Sequence, residues 1–111
     1  MSEISNQPLS EQFRLIGKQW AELDAAARMR EEGKTTFLSS LKSKLIEADA
    51  KMSETKAERI VKSGDEWRSY LADMIKDRNA ANKLKIDMEY LRMRHSEQQS
   101  IEATARAERR L

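Results

Sequence analysis

The chain contains no cysteine, a single proline and three glycines in 111 residues. Without cysteine there is no disulfide and no thiolate-bound metal, and the redox compartment leaves no trace. With proline only at Pro8 and glycine only at 17, 33 and 64, the chain lacks the punctuation that strand hairpins and frequent loops require. Aromatic residues make up 5%, which excludes a thick globular core. No stretch approaches the roughly 20 apolar residues of a membrane span. The N-terminus Met1-Ser2-Glu3-Ile4-Ser5-Asn6 has neither the basic nor the apolar region of a secretory signal. Net charge is +2, from 21 basic and 19 acidic residues, too slight an excess to mark a nucleic-acid binder by itself. The expectation is one cytoplasmic domain with no membrane partner.

Charged residues account for 36% of the chain and hydrophobic ones for 39%, the composition of a helical or coiled-coil protein. The stretch from Ser63 to Leu111 dominates. Ser63-Gly64-Asp65-Glu66 fits a capping box, in which a Ser at the N-cap and a Glu three residues later satisfy each other's backbone amides. Beyond Gly64 there is no glycine or proline, and the Ala, Leu, Met, Glu, Lys and Arg that dominate are good helix formers. Apolar residues recur at three- and four-residue steps through Trp67, Tyr70, Met74, Ala81, Leu84, Met88 and Leu91. At about 1.5 Å per residue this helix, 65–110, is roughly 65–70 Å long and has to lie against another long helix.

The remainder of the chain supplies that partner. Residues 1–9 read as a flexible N-terminal tail, and Ser10 as an N-cap. A heptad seam runs through Phe13, Ile16, Trp20, Leu23, Ala27, Arg30, Lys34, Phe37 and Leu41, then to Leu45, Ala48 and Met52. This predicts a helix over 10–52, weakened at Gly17 and Gly33 by about 1 kcal/mol each relative to Ala. Thr55-Lys56-Ala57-Glu58 fits a second capping box at the start of a short helix over 54–62, with Ala57, Ile60 and Val61 inward and Gly64 as its stop. The predicted fold is all-α. It is a long, coiled-coil-like antiparallel helical hairpin with a short connecting helix, in a single domain over 10–111. A break of the first helix at Gly33 would turn it into a three-helix arrangement.

A register for the hairpin follows from matching large with small residues and acid with base across the seam. Phe13 opposite Ala105, Ala27 opposite Leu91 and Phe37 opposite Ala81 satisfy the first condition. The flanking positions then place Asp24 opposite Arg92, Glu31 opposite Lys85 and Leu45 opposite Leu71. Arg30, Lys34, Asp77, His95 and Glu102 occupy nominal seam positions, where polar residues specify register at a cost in stability.

Chemistry-bearing patterns are sparse. Gly33-Lys34-Thr35-Thr36 ends like a phosphate-binding loop, but position 28 is Arg where the motif requires Gly, and a helix pattern precedes it in place of a strand. His95 is the only histidine and falls on the seam near Leu23, without a second ligand at metal spacing. Asp73 and Asp77 read as solvated helix-face carboxylates. No Ser, His and Asp set suggests nucleophilic catalysis. The reading is of a non-enzymatic protein with no cofactor, no metal and no small-molecule substrate.

Two surfaces remain. Ile75, Asn79, Asn82, Ile86, Tyr90 and Met93 form an outer line on the last helix, away from the first. They are candidates for the interface of a homo-oligomer or of a helical partner. Arg78, Lys85, Arg92, Arg94, Arg106, Arg109 and Arg110 form a basic stripe that is the candidate for nucleic-acid phosphates. Arg78 and Arg106 have no acidic partner in the register above.

Glu66-Trp67, Met74, Arg78, Ala81-Asn82-Lys83, Glu89-Tyr90, Arg92-Met93, Gln99-Ser100-Ile101-Glu102-Ala103 and Arg106-Ala107-Glu108 together resemble small helical proteins of unknown function in tailed bacteriophages and prophages. The resemblance covers roughly residues 63–111. It implies a phage or prophage origin, a bacterial host cell and, through gene neighbourhood, a link to DNA recombination and replication. It brings no catalytic residue with it. The expected function is a self-associating helical interaction protein of phage type; the alternative is a nucleic-acid-binding accessory of recombination or replication.

Overall fold

The computed structural model describes residues 7–110. Three helices follow one another: α1 over Leu9–Ala48, α2 over Glu54–Lys62 and α3 over Asp65–Arg110. No strand occurs among the described residues. The fold is all-α, a helical hairpin in which α1 and α3 run antiparallel. The chain divides into two compact units, Leu23–Asn79 on the one hand and Met1–Glu22 with Ala80–Leu111 on the other.

The ends of the helices depart from expectation in instructive ways. The expected tail over 1–9 lies mostly outside the described residues. Gln7 and Pro8 are exposed and Leu9 already belongs to α1. The Pro8 carbonyl accepts from the Gln12 amide at 2.9 Å, so Pro8 takes the N-cap place expected of Ser10. At its other end α1 stops at Ala48, not at 52. The Asp49 carboxylate accepts from the Lys51 amide at 3.1 Å and the Asp49 carbonyl from the Met52 amide at 3.0 Å. Aspartate competes for the backbone in this way and favours turns over helix continuation. Ser53, and not Thr55, caps α2, accepting from the Lys56 amide at 3.1 Å. Ser63 closes α2 at its C-terminus, its hydroxyl donating to the Arg59 and Ile60 carbonyls, so it does not form the capping box with Glu66. The Gly64 carbonyl accepts the first amide of α3, from Arg68.

In the unit Leu23–Asn79, the packed line consists of Ala27, Ala57, Val61 and Trp67, all buried. Phe37 stacks on Tyr70 with ring centroids 4.4 Å apart, and Trp67 lies parallel to both. Gly33 sits under Tyr70, where a Cβ would lie 3.3 Å from the phenol oxygen. The Tyr70 hydroxyl donates to the Arg30 carbonyl. The helix therefore runs unbroken through Gly33, and the three-helix alternative does not arise there. The small residue admits the tyrosine. The last turns of α1 have a different neighbour: Leu41 and Leu45 share a cleft with Ile60 and Val61 of α2. In the other unit Ile16, Ala81 and Leu91 are buried, and a Cβ at Gly17 would lie 3.8 Å from the Met88 methyl, in ordinary contact. No large side chain in the described chain is fully buried, as expected where only two helices meet along a line.

The register differs from the one read from the sequence. Phe37 faces Trp67 rather than Ala81, Phe13 lies beside Leu91 rather than Ala105, and Asp24 bonds Arg78 rather than Arg92. Each partner is fourteen residues earlier in α3, a slip of two heptads. Such a slip returns every residue to the same helix face, so pattern alone does not detect it. The proposed pairs Asp24–Arg92, Glu31–Lys85 and Leu45–Leu71 are thus replaced.

Candidate interaction surface

α3 presents two faces with different chemistry. Toward α1, in the unit Leu23–Asn79, its charged residues are engaged. Arg78 donates from Nε and Nη2 to the two Glu31 carboxylate oxygens at 2.9 and 2.7 Å, a bidentate fork, and from Nη1 to Asp24 at 2.8 Å. Asp24 is 9% exposed and also pairs with Arg28 at 3.0 Å. The Arg78 fork holds the Glu31 carboxyl below its ordinary pKa. Hydrogen bonds first from Glu31 and then from Asp24 raise that of the Arg78 guanidinium. Charge-assisted forks of this kind are geometrically specific as well as strong. Arg30 bonds Asp77 at 2.6 Å and Asp73 at 3.6 Å. These two aspartates are therefore ion-paired, not simply solvated, and the polar seam residues Arg30 and Asp77 answer one another.

Arg78 leaves the candidate nucleic-acid set, since the acids it was expected to lack are Glu31 and Asp24. The other members, Lys85, Arg92, Arg94, Arg106, Arg109 and Arg110, are exposed. Two of them lie on rings, Arg92 over Phe13 and Arg94 over Tyr90, each 5.9 Å from the centroid. His95 is exposed in an open cleft with Leu9, Phe13, Leu91 and Arg92. Lys34 continues α1, its ammonium 5.9 Å from the Trp67 ring centroid, and no phosphate loop forms. Among the described residues no three His, Cys, Asp or Glu side chains are grouped to hold a metal, and no helix is long and apolar enough to cross a membrane.

All six residues of the outer line are exposed. Ile75 (56%) and Asn79 belong to the unit Leu23–Asn79. Asn82, Ile86 (63%), Tyr90 (60%) and Met93 (62%) belong to the other. Ile101, at 69%, joins them. At 100° per residue, Ile86, Tyr90, Met93 and Ile101 fall within about 80° around α3, opposite Leu84 and Leu91. Sequence reading overlooked Ile101 because polar residues separate it from Met93. The signal was the spacing of eleven residues from Tyr90, close to three turns.

Compared with known protein families, characterised proteins and solved structures, the chain matches none.

Proposed function

We propose that this is a non-enzymatic interaction protein of phage or prophage type, cytoplasmic in its bacterial host, that self-associates through the outer face of α3. The observation that carries this reading is the row Ile86, Tyr90, Met93 and Ile101. These are four large apolar side chains, each at least 60% exposed, on one side of one helix. Contiguous apolar surface of this kind marks an interaction site, and closed two-fold dimers are the commonest use of such a face in homo-oligomers. Light scattering at micromolar concentration tests it. The expected species is a dimer; a monomer would remove self-association.

One observation favours a second reading, the nucleic-acid-binding accessory of recombination or replication. Lys85, Arg106, Arg109 and Arg110 make no ion pair among the described residues and stand exposed, the last three in the final turns of α3. Phosphate contacts release counterions, so binding to DNA should weaken steeply with salt, and Arg106→Glu with Arg109→Glu should reduce it without unfolding. Absence of binding to single- and double-stranded DNA at about 50 mM salt removes this reading.

A further inference from the structure

Resting on the nucleic-acid reading above, we infer that the second half of α3 holds a DNA duplex by its phosphates, along one side of the helix only. From Lys83 to Arg110, α3 carries seven bases and five acids, nearly neutral by count. The two signs are not mixed around the helix. Measured from Leu91 at about 100° per residue, Lys85, Arg92, Arg106, Arg109 and Arg110 all fall between about 0° and 120°. Glu102, at about 20°, is the one acid of this stretch in that arc. The other side holds Asp87, Glu89, Glu97 and Glu108 against Lys83 and Arg94. Five bases against one acid give the arc a net +4; two bases against four acids leave the other side at −2. All five bases of the arc are exposed, and none makes an ion pair among the described residues. Arg78, lower on the same helix, is by contrast taken up by Glu31 and Asp24.

The arc is open where its charge is densest. α1 begins at Leu9, which shares a cleft with His95, and from Ser96 to Arg110 every residue except Ala105 is exposed. Among the described residues this end of α3 has no second helix beside it. A single helix is about 10–12 Å across and the DNA major groove about 12 Å wide, so this end fits a groove that two packed helices do not. From Lys85 to Arg110 the arc runs about 37 Å, close to one turn of the duplex. Two other polyanions fit it less well. A single strand is held by aromatic rings that stack on its bases, and the one aromatic residue of this half, Tyr90, lies across the helix at about 260°. An anionic bilayer takes an amphipathic helix by its apolar face. Here the face of Ile86, Tyr90, Met93 and Ile101 also holds Glu97 and Glu108, at about 240° and 260°.

Salt dependence separates the arc from general charge attraction. Binding of the full-length chain to a labelled mixed-sequence DNA duplex is followed by fluorescence anisotropy between about 50 and 200 mM salt. Each phosphate contact contributes about −0.9 to the slope of log K against log salt. Arg106→Gln with Arg109→Gln should therefore make the slope shallower by about 1.8 for each bound chain. Lys83→Gln with Arg94→Gln removes the same charge from the other side of α3 and should leave the slope unchanged. Glutamine is a good helix former, and circular dichroism verifies that helicity is retained. Should the first pair lose helicity, Lys85→Gln with Arg110→Gln is expected to give the same change in slope. An equal change for bases on and off the arc overturns the inference, while nucleic-acid binding stands. A single strand that binds as tightly as the duplex has the same consequence. No binding to either DNA at about 50 mM salt removes both the inference and the reading it rests on. Binding to phosphatidylserine–phosphatidylcholine vesicles in that case assigns the arc to a membrane surface.

Discussion

Arg78 is the residue at which the two helices recognise each other in the unit Leu23–Asn79. Its planar fork matches the Glu31 carboxylate, and its remaining nitrogen reaches the nearly buried Asp24. A lysine in its place would keep the charge and lose the fork, so Arg78→Lys is not conservative here. The arrangement also predicts a pH dependence. The folded-state pKa of Glu31 is depressed, chiefly by the Arg78 hydrogen bonds. The stability it contributes is therefore present above the ordinary carboxylate pKa and lost as pH falls through the lower, folded-state value. Urea unfolding followed from pH 7 downward should show stability falling across the acid range. Glu31→Gln should be less stable at neutral pH and should show a shallower fall. Equal slopes for the two proteins would mean that Glu31 does not contribute in this way. From the sequence both acids are legible as partners for an α3 base, but the register read from the pattern assigns Arg92 to one and Lys85 to the other. A single arginine serves both because Asp24 and Glu31 are seven residues apart, two turns on one face of α1.

At the scale of the element, α1 keeps its helix through Gly33 although glycine costs about 1 kcal/mol there relative to alanine. The compensation is the approach of Tyr70, whose hydroxyl reaches the Arg30 carbonyl over the space a Cβ would crowd. Propensity and packing thus oppose each other at this position, and a double-mutant cycle separates them. Gly33→Ala in a Tyr70→Phe background should stabilise the protein by about 1 kcal/mol, since the oxygen is gone and the propensity gain remains. In the parent, the same substitution should gain less or destabilise, because the alanine methyl presses on the phenol oxygen. Thermal unfolding of the four proteins measures the coupling; strict additivity would show that Gly33 does not serve the tyrosine. The boundaries of the elements are readable to within a few residues, and the misses around the connection have one cause. At Asp49, Ser53 and Ser63 side-chain oxygens compete with the helix for backbone partners, and several short polar residues lie within reach of each end.

At the scale of the molecule, the packed lines are thin in both units, and the large apolar side chains that remain outside are concentrated on α3. Burying residues such as Ile86 and Met93 is worth about 1.5–3 kcal/mol each, so association through this face offsets a good part of the cost of bringing two copies together. If the proposed self-association uses this face, Ile86→Lys with Met93→Lys should give a monomer with unchanged helicity, since both side chains are more than 60% exposed in the single chain. Circular dichroism beside light scattering reads both quantities. Loss of helicity in the double variant would place these residues in the fold itself. The outer line was visible in the sequence because period alone separates it from the seam. Whether any element covered it was not, since a three-helix packing would have buried the same residues.

The sequence by itself determined the helices, their phases and which faces are apolar. Those properties are local: they follow from propensity, from the near absence of glycine and proline, and from the 3.6-residue period. Only the tertiary structure decided the slip of α3 along α1. A two-heptad shift leaves every face where it was, and the choice among such shifts depends on long-range contacts. These contacts are the stacking of Phe37, Tyr70 and Trp67, the Arg78 fork onto Glu31 and Asp24, and the fit of Tyr70 over Gly33. The connection sets the remainder, because α2 shares the last turns of α1 with Leu41 and Leu45 and so leaves α3 to begin opposite Phe37.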